Sequence, residues 1–194
     1  MNRLVILFAL VLIATACCRK PEEIILENIM TRTSVRQYTN QQLTEQQIET
    51  LLRAAMAAPS AVNKQPWAFL VIDDKEKLEA VGGIERSKNM IATAPVAILV
   101  CGDMSQALNG EAAEFWIQDA SAATENLLLA AHGMGLGAVW TGFHPGTHRV
   151  DTLKQILNLP SHIEPLGVVP IGYPAESPTP KDKWSPEKVH RNVW

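Results

Sequence analysis

Two uninterrupted apolar runs constrain the fold of this chain more than any other feature of its sequence. They cover residues 67–72 and 95–101, and both have the length of an ordinary strand. A strand with one solvated face alternates polar and apolar residues, whereas a strand that is apolar throughout is buried on both faces. The sequence therefore predicts two strands that are buried on both faces. Further strands are predicted at residues 138–141 and 166–171.

The clearest helix start in the chain lies at Thr44. Thr44 and Gln47 have the spacing of a capping box, and Ile48 opens an apolar stripe that recurs at helical spacing until Pro59. Three more helices are predicted at residues 23–30, 111–132 and 149–157, and a short helix is predicted to follow Asp73-Asp74 and to end at Gly82-Gly83. The helix at 111–132 is apolar on more than one face, which is typical of a central helix. Either the domain core or a partner subunit must cover it.

Composition and charge exclude several classes of protein. A length of 194 residues with 47% hydrophobic and 19% charged residues fits one globular domain, here residues 21–194. The net charge of −3 gives no indication of nucleic-acid binding, so any anion site must be local. Cysteines at three positions have neither disulfide-framework nor zinc spacing, and the histidine spacing predicts no metal site.

Residues 1–20 have the features of a targeting segment. Arg3 is followed by an apolar run at 4–13, which is shorter than the roughly 20 residues that span a bilayer. Small residues then precede Cys17, as in a bacterial lipobox. This pattern predicts lipidation of Cys17 and a membrane-anchored lipoprotein that faces the periplasm or the exterior. The alternatives are a secretory peptide cut nearby without lipid, and a true start at Met30, which would give a cytoplasmic protein.

A basic stretch at residues 31–38 precedes the helix that begins after Thr44. Arg32, Ser34 and Arg36 stand at alternate positions, so in an extended segment their side chains share one face. Arginine offers forked, permanently charged donors and serine adds a neutral donor, a combination that suits a phosphate. The alternative interpretation is a solvated surface strand.

A glycine-containing turn, a glycine at the end of a predicted strand and a proline-rich tail complete the pattern. Gly133, Gly135 and Ala138 match GxGxxA, but a helix precedes them and a strand follows, so they predict a tight helix-to-strand turn instead of a dinucleotide site. Gly142 allows close approach of its backbone to another group. The tail from residue 174 onward carries two tryptophans and is predicted to lie on another surface.

Four segments together resemble the FMN-dependent nitroreductase family. They read TRTSVRQY at 31–38, APSAVNKQPWAF at 58–69, GLGAVWTG at 135–142 and KDKWSPEKVHRNVW at 181–194. The resemblance covers about residues 25–194. It implies an α+β fold with a mixed sheet flanked by helices in three layers. It also implies a domain-sharing homodimer with FMN bound between the subunits.

The resemblance also implies roles for twelve residues. Those expected to bind the phosphate and ribityl end of FMN are Arg32, Thr33, Ser34, Arg36, Lys181 and Lys183. Those expected to contact the flavin across the dimer interface are Pro59, Ser60, Asn63 and Gln65. Thr141 and Gly142 are expected to lie against the isoalloxazine ring near N5.

The activity implied by the resemblance is hydride transfer from NAD(P)H to a nitroaromatic, a quinone or a similar acceptor. The cofactor performs the chemistry and the protein binds and orients it, so the sequence assigns no catalytic acid or base. A different class of function is a membrane-tethered flavoprotein that carries electrons between protein partners without turning over a small molecule.

Overall fold

A computed structural model of the chain describes residues 20–85 and 88–194. The predicted targeting segment, apart from Lys20, lies outside these residues, as does the predicted lipidation site Cys17. Within the described part of the chain, no helix has both the length and the apolar character that crossing a membrane would need.

The described residues form six helices and five strands. The helices are α1 (Pro21–Thr31), α2 (Glu45–Met56), α3 (Lys75–Gly82), α4 (Asn89–Ala92), α5 (Phe115–Gly133) and α6 (Thr147–Leu157). The strands are β1 (Trp67–Ile72), β2 (Val96–Asp103), β3 (Gly137–Ala138), β4 (Thr141–Gly142) and β5 (Ile163–Gly172). Short 3-10 turns cover Ala61–Asn63, Gly110–Glu114 and Pro186–Lys188.

The strands form one sheet in the order β1-β2-β5-β3, and β4 also pairs with β5. This arrangement confirms the predicted α+β class, with a sheet between helices. A mixed sheet also needs a parallel pairing, and every pairing between the five described strands is antiparallel. Within one chain, the described strands therefore form only antiparallel pairs.

Alternate residues of β2 point into two separate hydrophobic cores, one on each face of the sheet. Val96, Ile98 and Val100 join the core beneath α2 and α5. Ala97, Leu99 and Cys101 join the core beneath α3, α4 and α6. This period of two is the geometry of a strand that is covered on both faces, and it produces the three layers that were predicted. Burial raises the pKa of the Cys101 thiol to about 12, as expected for an unreactive core cysteine.

A bulge in β5 changes which core its side chains enter. Val100 pairs with Gly167 and Cys101 with Pro165, so Leu166 has no partner on β2. Leu166 consequently packs in the α2/α5 core, whereas Val168, two positions later, packs in the opposite one. A bulge turns a side chain in this way because one extra residue interrupts the alternation.

Several predicted boundaries are confirmed by hydrogen bonds. Thr44 caps α2 through a complete capping box, with the Gln47 N–H donating to Thr44 Oγ1 and the Gln47 side chain accepting from the Thr44 N–H. The strand predicted at 67–72 coincides with β1. The buried strand predicted at 95–101 begins one residue before β2. These elements were predictable because the bonds that begin them are local in sequence.

Other boundaries differ from the prediction. The helix predicted at 111–132 is a 3-10 turn followed by α5, which ends at Gly133, and the glycine that caps it is Gly135 (φ +73°). Leu136 donates its N–H to the Ala131 carbonyl at 2.8 Å, which closes the turn around this left-handed glycine. The strand predicted at 138–141 is two short pieces, β3 and β4.

The expectation that β1 is buried on both faces is wrong. Among the strands that the structure describes, β1 lies at the edge of the sheet and pairs with β2 alone, and Leu70 near its middle is 37% exposed. An all-apolar run indicates that a strand is buried in the final structure, but it does not show whether residues of the same chain or of a partner bury it.

Two regions leave large apolar side chains uncovered in the single chain. On α1, Ile24, Ile25, Leu26, Ile29 and Met30 are between 50% and 73% exposed. In the tail, Trp184 is 72% exposed and Trp194 is 98% exposed. A monomeric protein rarely exposes such a concentration of apolar surface.

Candidate functional site

The basic segment, residues 31–38, is attached to the sheet through Val35. Val35 is buried, and its N–H donates to the Ala138 carbonyl at 3.0 Å. A Cβ at Gly137 would lie 2.5 Å from a methyl carbon of Val35, so that position must be glycine for the segment to pack here. Of the residues beside Val35, Ser34 is partly buried and Arg36 is exposed.

Arg32 meets two lysines of the tail in one surface pocket of about 720 Å³. Its charged lining residues are Arg32, Glu125, Lys181, Asp182 and Lys183. The three cations exceed the two carboxylates, so the pocket has a local excess of positive charge although the whole chain is acidic. A volume of this size lies within the range of small-molecule sites.

Glu125 of α5 orients the Arg32 side chain in this pocket. Arg32 Nε lies 3.5 Å from Glu125 Oε1, and the arginine side chain is 17% exposed. The pocket also has an apolar wall formed by Ile29, Met30, Pro180 and Trp184. An arginine held by one carboxylate keeps further N–H groups of its fork for another anion.

The start of the tail is hydrogen-bonded to the basic segment. Glu176 Oε1 accepts the backbone N–H groups of Arg36 and Gln37, at 2.6 Å and 3.2 Å. The N–H of Thr39 donates to the Tyr173 carbonyl at 2.8 Å, and that of Ala175 to the Gln37 carbonyl at 2.9 Å. These bonds direct the tail back along the basic segment, while the Arg36 side chain itself is exposed.

Tyr38 fastens the end of the basic segment to the central strand. Its hydroxyl lies 2.7 Å from the Val35 carbonyl oxygen and 3.2 Å from that of Pro170. Burial raises the pKa of Tyr38 far above its usual value, an effect that Arg36 partly opposes. Tyr38 therefore stays protonated, as an anchor of the segment.

Thr31 and His132 join the two helices beside the pocket. Thr31 Oγ1 and His132 Nε2 are 2.9 Å apart, which links the end of α1 to the end of α5. Burial lowers the pKa of His132, and the nearby charge of Arg32 lowers it further. The histidine is therefore neutral at pH 7.

The loop between α2 and β1 has an unusual backbone. Val62, Asn63 and Gln65 have φ values of 45°, 57° and 53°. Such values are rare for residues other than glycine and are a clear outlier for a β-branched valine. Residues held in this region often lie at ligand sites, where the surrounding structure supports the strain.

Thr141 and Gly142 have different surroundings although they are adjacent on β4. Thr141 is buried, and its hydroxyl donates to the Val168 carbonyl at 2.7 Å. Gly142 is exposed, and a Cβ added there would meet no atom within 4 Å beyond its chain neighbours. The Thr141 hydroxyl is thus committed to the sheet, whereas Gly142 leaves open space above its backbone.

The structure brings part of the predicted site together in one chain. Arg32, Lys181 and Lys183 line the same pocket, whereas Asn63 and Gln65 are exposed in their loop outside that lining. Thr33 and Ser34 are partly buried beside Arg32. Thr141 and Gly142 form β4. A short connection joins β4 to β3, where the Ala138 carbonyl accepts the hydrogen bond from Val35.

The sequence did not single out three acidic residues that organise this region. Glu125 and Asp119 lie on α5, where they face Arg32 and the 59–65 loop, and Glu176 lies in the tail. Two carboxylates within an alanine-rich helix are a signal that could have identified Asp119 and Glu125. No comparable signal marks Glu176, because its partners are backbone groups distant in sequence.

The chain belongs to the nitroreductase family, which it matches over residues 29–89 and 84–173. It is an enzyme similar to the NAD(P)H nitroreductases. A protein of Methanothermobacter thermautotrophicus named "Putative NADH dehydrogenase/NAD(P)H nitroreductase" is 43% identical over 171 residues, which are 88% of this chain and 87% of the relative.

Solved structures agree with this assignment. A Parabacteroides distasonis protein of the same name is 40% identical, with a TM-score of 0.83 over 88% of this chain and 98% of that one. A Desulfovibrio desulfuricans protein, solved in complex with FMN, is 30% identical, with a TM-score of 0.78 over 91% of this chain and 99% of that one.

Proposed function

We propose that this protein binds FMN and uses it to transfer hydride from NAD(P)H to a nitroaromatic, a quinone or a similar small acceptor. The observation that carries the proposal is the meeting of Arg32, Lys181 and Lys183 in one pocket, in a chain of the nitroreductase family. These residues come from opposite ends of the described chain. Their convergence supplies the positive charge that a dianionic phosphate requires.

The residues present fit FMN at both of its ends. Arg32, Lys181 and Lys183 would bind the phosphate, with Thr33, Ser34 and Arg36 beside them along the ribityl chain. The open space above Gly142 would admit the flat ring, and the backbone of β4 would contact it, because the Thr141 hydroxyl is already bonded to Val168. The strained loop that contains Pro59, Ser60, Asn63 and Gln65 would meet the flavin of the partner subunit.

FMN supplies the redox chemistry when it is bound, accepting hydride from a nicotinamide and passing it to the acceptor. The protein binds and orients it. Arg32 and the two lysines would compensate the phosphate charge. No side-chain acid or base is assigned to the reaction.

Reconstitution with FMN followed by steady-state kinetics tests this proposal. The purified protein should retain FMN after gel filtration and oxidise NADH or NADPH when a nitroaromatic or a quinone is supplied. A protein that retains no flavin would overturn the proposal. A flavin-loaded protein without turnover of any acceptor would instead support an electron carrier between protein partners.

We expect the kinetics to be ping-pong, because donor and acceptor would use one open face of the flavin in turn. Double-reciprocal plots against NAD(P)H at several fixed acceptor concentrations should be parallel. Intersecting lines would show that both substrates bind together and would contradict the single-face arrangement.

We also propose that the protein is a homodimer. The exposed apolar residues of α1 and the tryptophans of the tail need covering, and an obligate interface buries more than about 2,000 Å². Light scattering at micromolar concentration should give the mass of a dimer.

A charged substitution at the proposed interface should weaken this dimer. Ile25→Glu combined with Leu26→Glu should shift the protein towards monomer, because a buried unpaired carboxylate is costly. Met56→Glu is the matched control, since Met56 is about as exposed but lies on α2. A stable, flavin-loaded monomeric wild type would contradict the proposal.

A further inference from the structure

Asp119 is a buried carboxylate in the middle of an apolar surface. It lies in the first half of α5, only 6% exposed, and its buried neighbours on the helix include Trp116, Ala120 and Ala123. Burial of a carboxylate is costly unless hydrogen bonds compensate it. Asp119 Oδ1 accepts the backbone N–H of Ala61 at 2.8 Å, so its partner is the strained loop between α2 and β1.

The bond from Asp119 reaches this loop at the residue where its 3-10 turn begins. Ala61 opens the turn, and the left-handed residues Val62, Asn63 and Gln65 follow. Within the loop, the Gln65 N–H donates to Ser60 Oγ at 2.9 Å, and Gln65 Nε2 donates to Asn63 Oδ1 at 2.9 Å. The internal bonds shape the loop, and the bond to Asp119 connects that shape to the rest of the protein.

Helix α5 therefore supports two parts of the candidate site. Glu125, which orients Arg32, lies six residues after Asp119, a rise of about 9 Å along the helix axis. The same rigid element thus holds the phosphate-binding arginine with one carboxylate and the 59–65 loop with another.

We propose that Asp119 is a positioning residue for flavin binding. It holds the 59–65 loop in the conformation that contacts the flavin, and it acts through the Ala61 backbone without touching the ligand. The proposal rests on the proposed function, because that function assigns the loop to the flavin.

Asp119→Leu tests this role, with Asp119→Asn as the conservative variant. Leucine has a similar volume but accepts no hydrogen bond, whereas asparagine keeps one acceptor oxygen. We expect Asp119→Leu to raise the Kd of FMN and of riboflavin by the same factor, roughly tenfold or more, because the loop would contact the ring common to both. Asp119→Asn should recover most of the affinity.

Thr124→Val is the matched control. Thr124 is also buried on α5, but its hydroxyl donates to the Ala120 carbonyl within the helix and has no part in the loop. This variant should leave the affinity for both ligands unchanged.

Limited trypsin digestion of the flavin-free protein tests the same bond without any ligand. Lys64 is exposed in the loop and is followed by Gln65, so cleavage after Lys64 reports how well the loop is held. Cleavage at this bond should accelerate in Asp119→Leu, return towards the wild-type rate in Asp119→Asn, and stay unchanged in Thr124→Val.

A second variant removes the donor and keeps Asp119, in case Asp119→Leu does not fold. Ala61→Pro lacks the N–H, and the extended Ser60 before it (φ −141°, ψ 157°) has the backbone that precedes proline. It should also weaken both ligands and accelerate cleavage.

The two readouts separate the two proposals. If wild-type protein binds no flavin but Asp119→Leu accelerates cleavage after Lys64, the proposed function fails and the positioning of the loop by Asp119 stands. Unchanged cleavage in folded Asp119→Leu or Ala61→Pro would overturn the positioning role. Unchanged flavin affinity in a variant whose loop is released would overturn the link between the loop and the flavin.

Discussion

Replacing Arg32 by alanine is expected to weaken FMN binding by roughly 10- to 150-fold while leaving riboflavin binding nearly unchanged. Hydrogen bonds to a charged group contribute about 1.5–3 kcal/mol, and an arginine fork on a phosphate lies near the upper end. At about 1.4 kcal/mol for each factor of ten, this gives the expected change in Kd. Riboflavin lacks the phosphate, so it does not depend on the charge of Arg32.

We expect Arg32→Ala to lower the affinity for FMN without greatly lowering the stability of the fold. Arg32 pairs with Glu125, whose side chain is half exposed, and pairs of this kind contribute at most about 1 kcal/mol to stability. Arg32→Lys should recover part of the affinity, because lysine keeps the charge but not the fork. Titration of flavin fluorescence in each variant measures both ligands.

Arg53→Ala is a matched control for the loss of an arginine. Arg53 also pairs with a glutamate, Glu49, but on the exposed face of α2. Its loss should change neither Kd. Equal losses of FMN and riboflavin affinity in Arg32→Ala would show that Arg32 is structural, and the phosphate assignment of the pocket would then be wrong.

Phe143→Ala is expected to lower the free energy of unfolding by about 3–5 kcal/mol, which is the usual cost of removing a buried phenylalanine side chain. Phe143 is fully buried in the core beneath α3, α4 and α6, directly after Gly142. A domain is stable by only about 5–15 kcal/mol, so this change would remove a large part of the total.

The surroundings of Phe143 explain why the site would be affected as well. Lys88 Nζ lies 4.8 Å from the centroid of the ring, and Arg149 Nε donates to the Phe143 carbonyl at 2.8 Å. Burial lowers the pKa of Lys88, and the carboxylate of Glu85 partly opposes that shift. Loss of the ring would leave this buried ammonium beside a cavity and loosen the end of β4.

Urea unfolding of the flavin-free protein measures the change, with Phe115→Ala as the matched control. Phe115 is 42% exposed at the start of α5, so its replacement should cost less than about 1.5 kcal/mol. Similar losses in the two variants would contradict the assignment of Phe143 to the core. Phe143→Leu should restore part of the stability, since it retains most of the buried volume.

The sequence was sufficient for elements whose defining interactions are local. The capping box joins Thr44 to a residue only three positions away, and both of its bonds form. The apolar run at 95–101 lies almost wholly within β2, where the period of two divides its side chains between the two cores.

Tertiary structure alone decided which distant groups meet. An apolar strand looks the same in sequence whether it lies in the centre or at the edge of a sheet, so the exposed side of β1 was not predictable. The Thr141 hydroxyl donates to the Val168 carbonyl, and Asp119 accepts a hydrogen bond from the 59–65 loop. Both bonds join elements that lie far apart in the chain. Sequence spacing determined which side chains share a face, because that follows from the backbone repeat. Folding of the tail past α1 brought Lys181 and Lys183 to Arg32, because a contact between distant segments depends on how the whole chain packs.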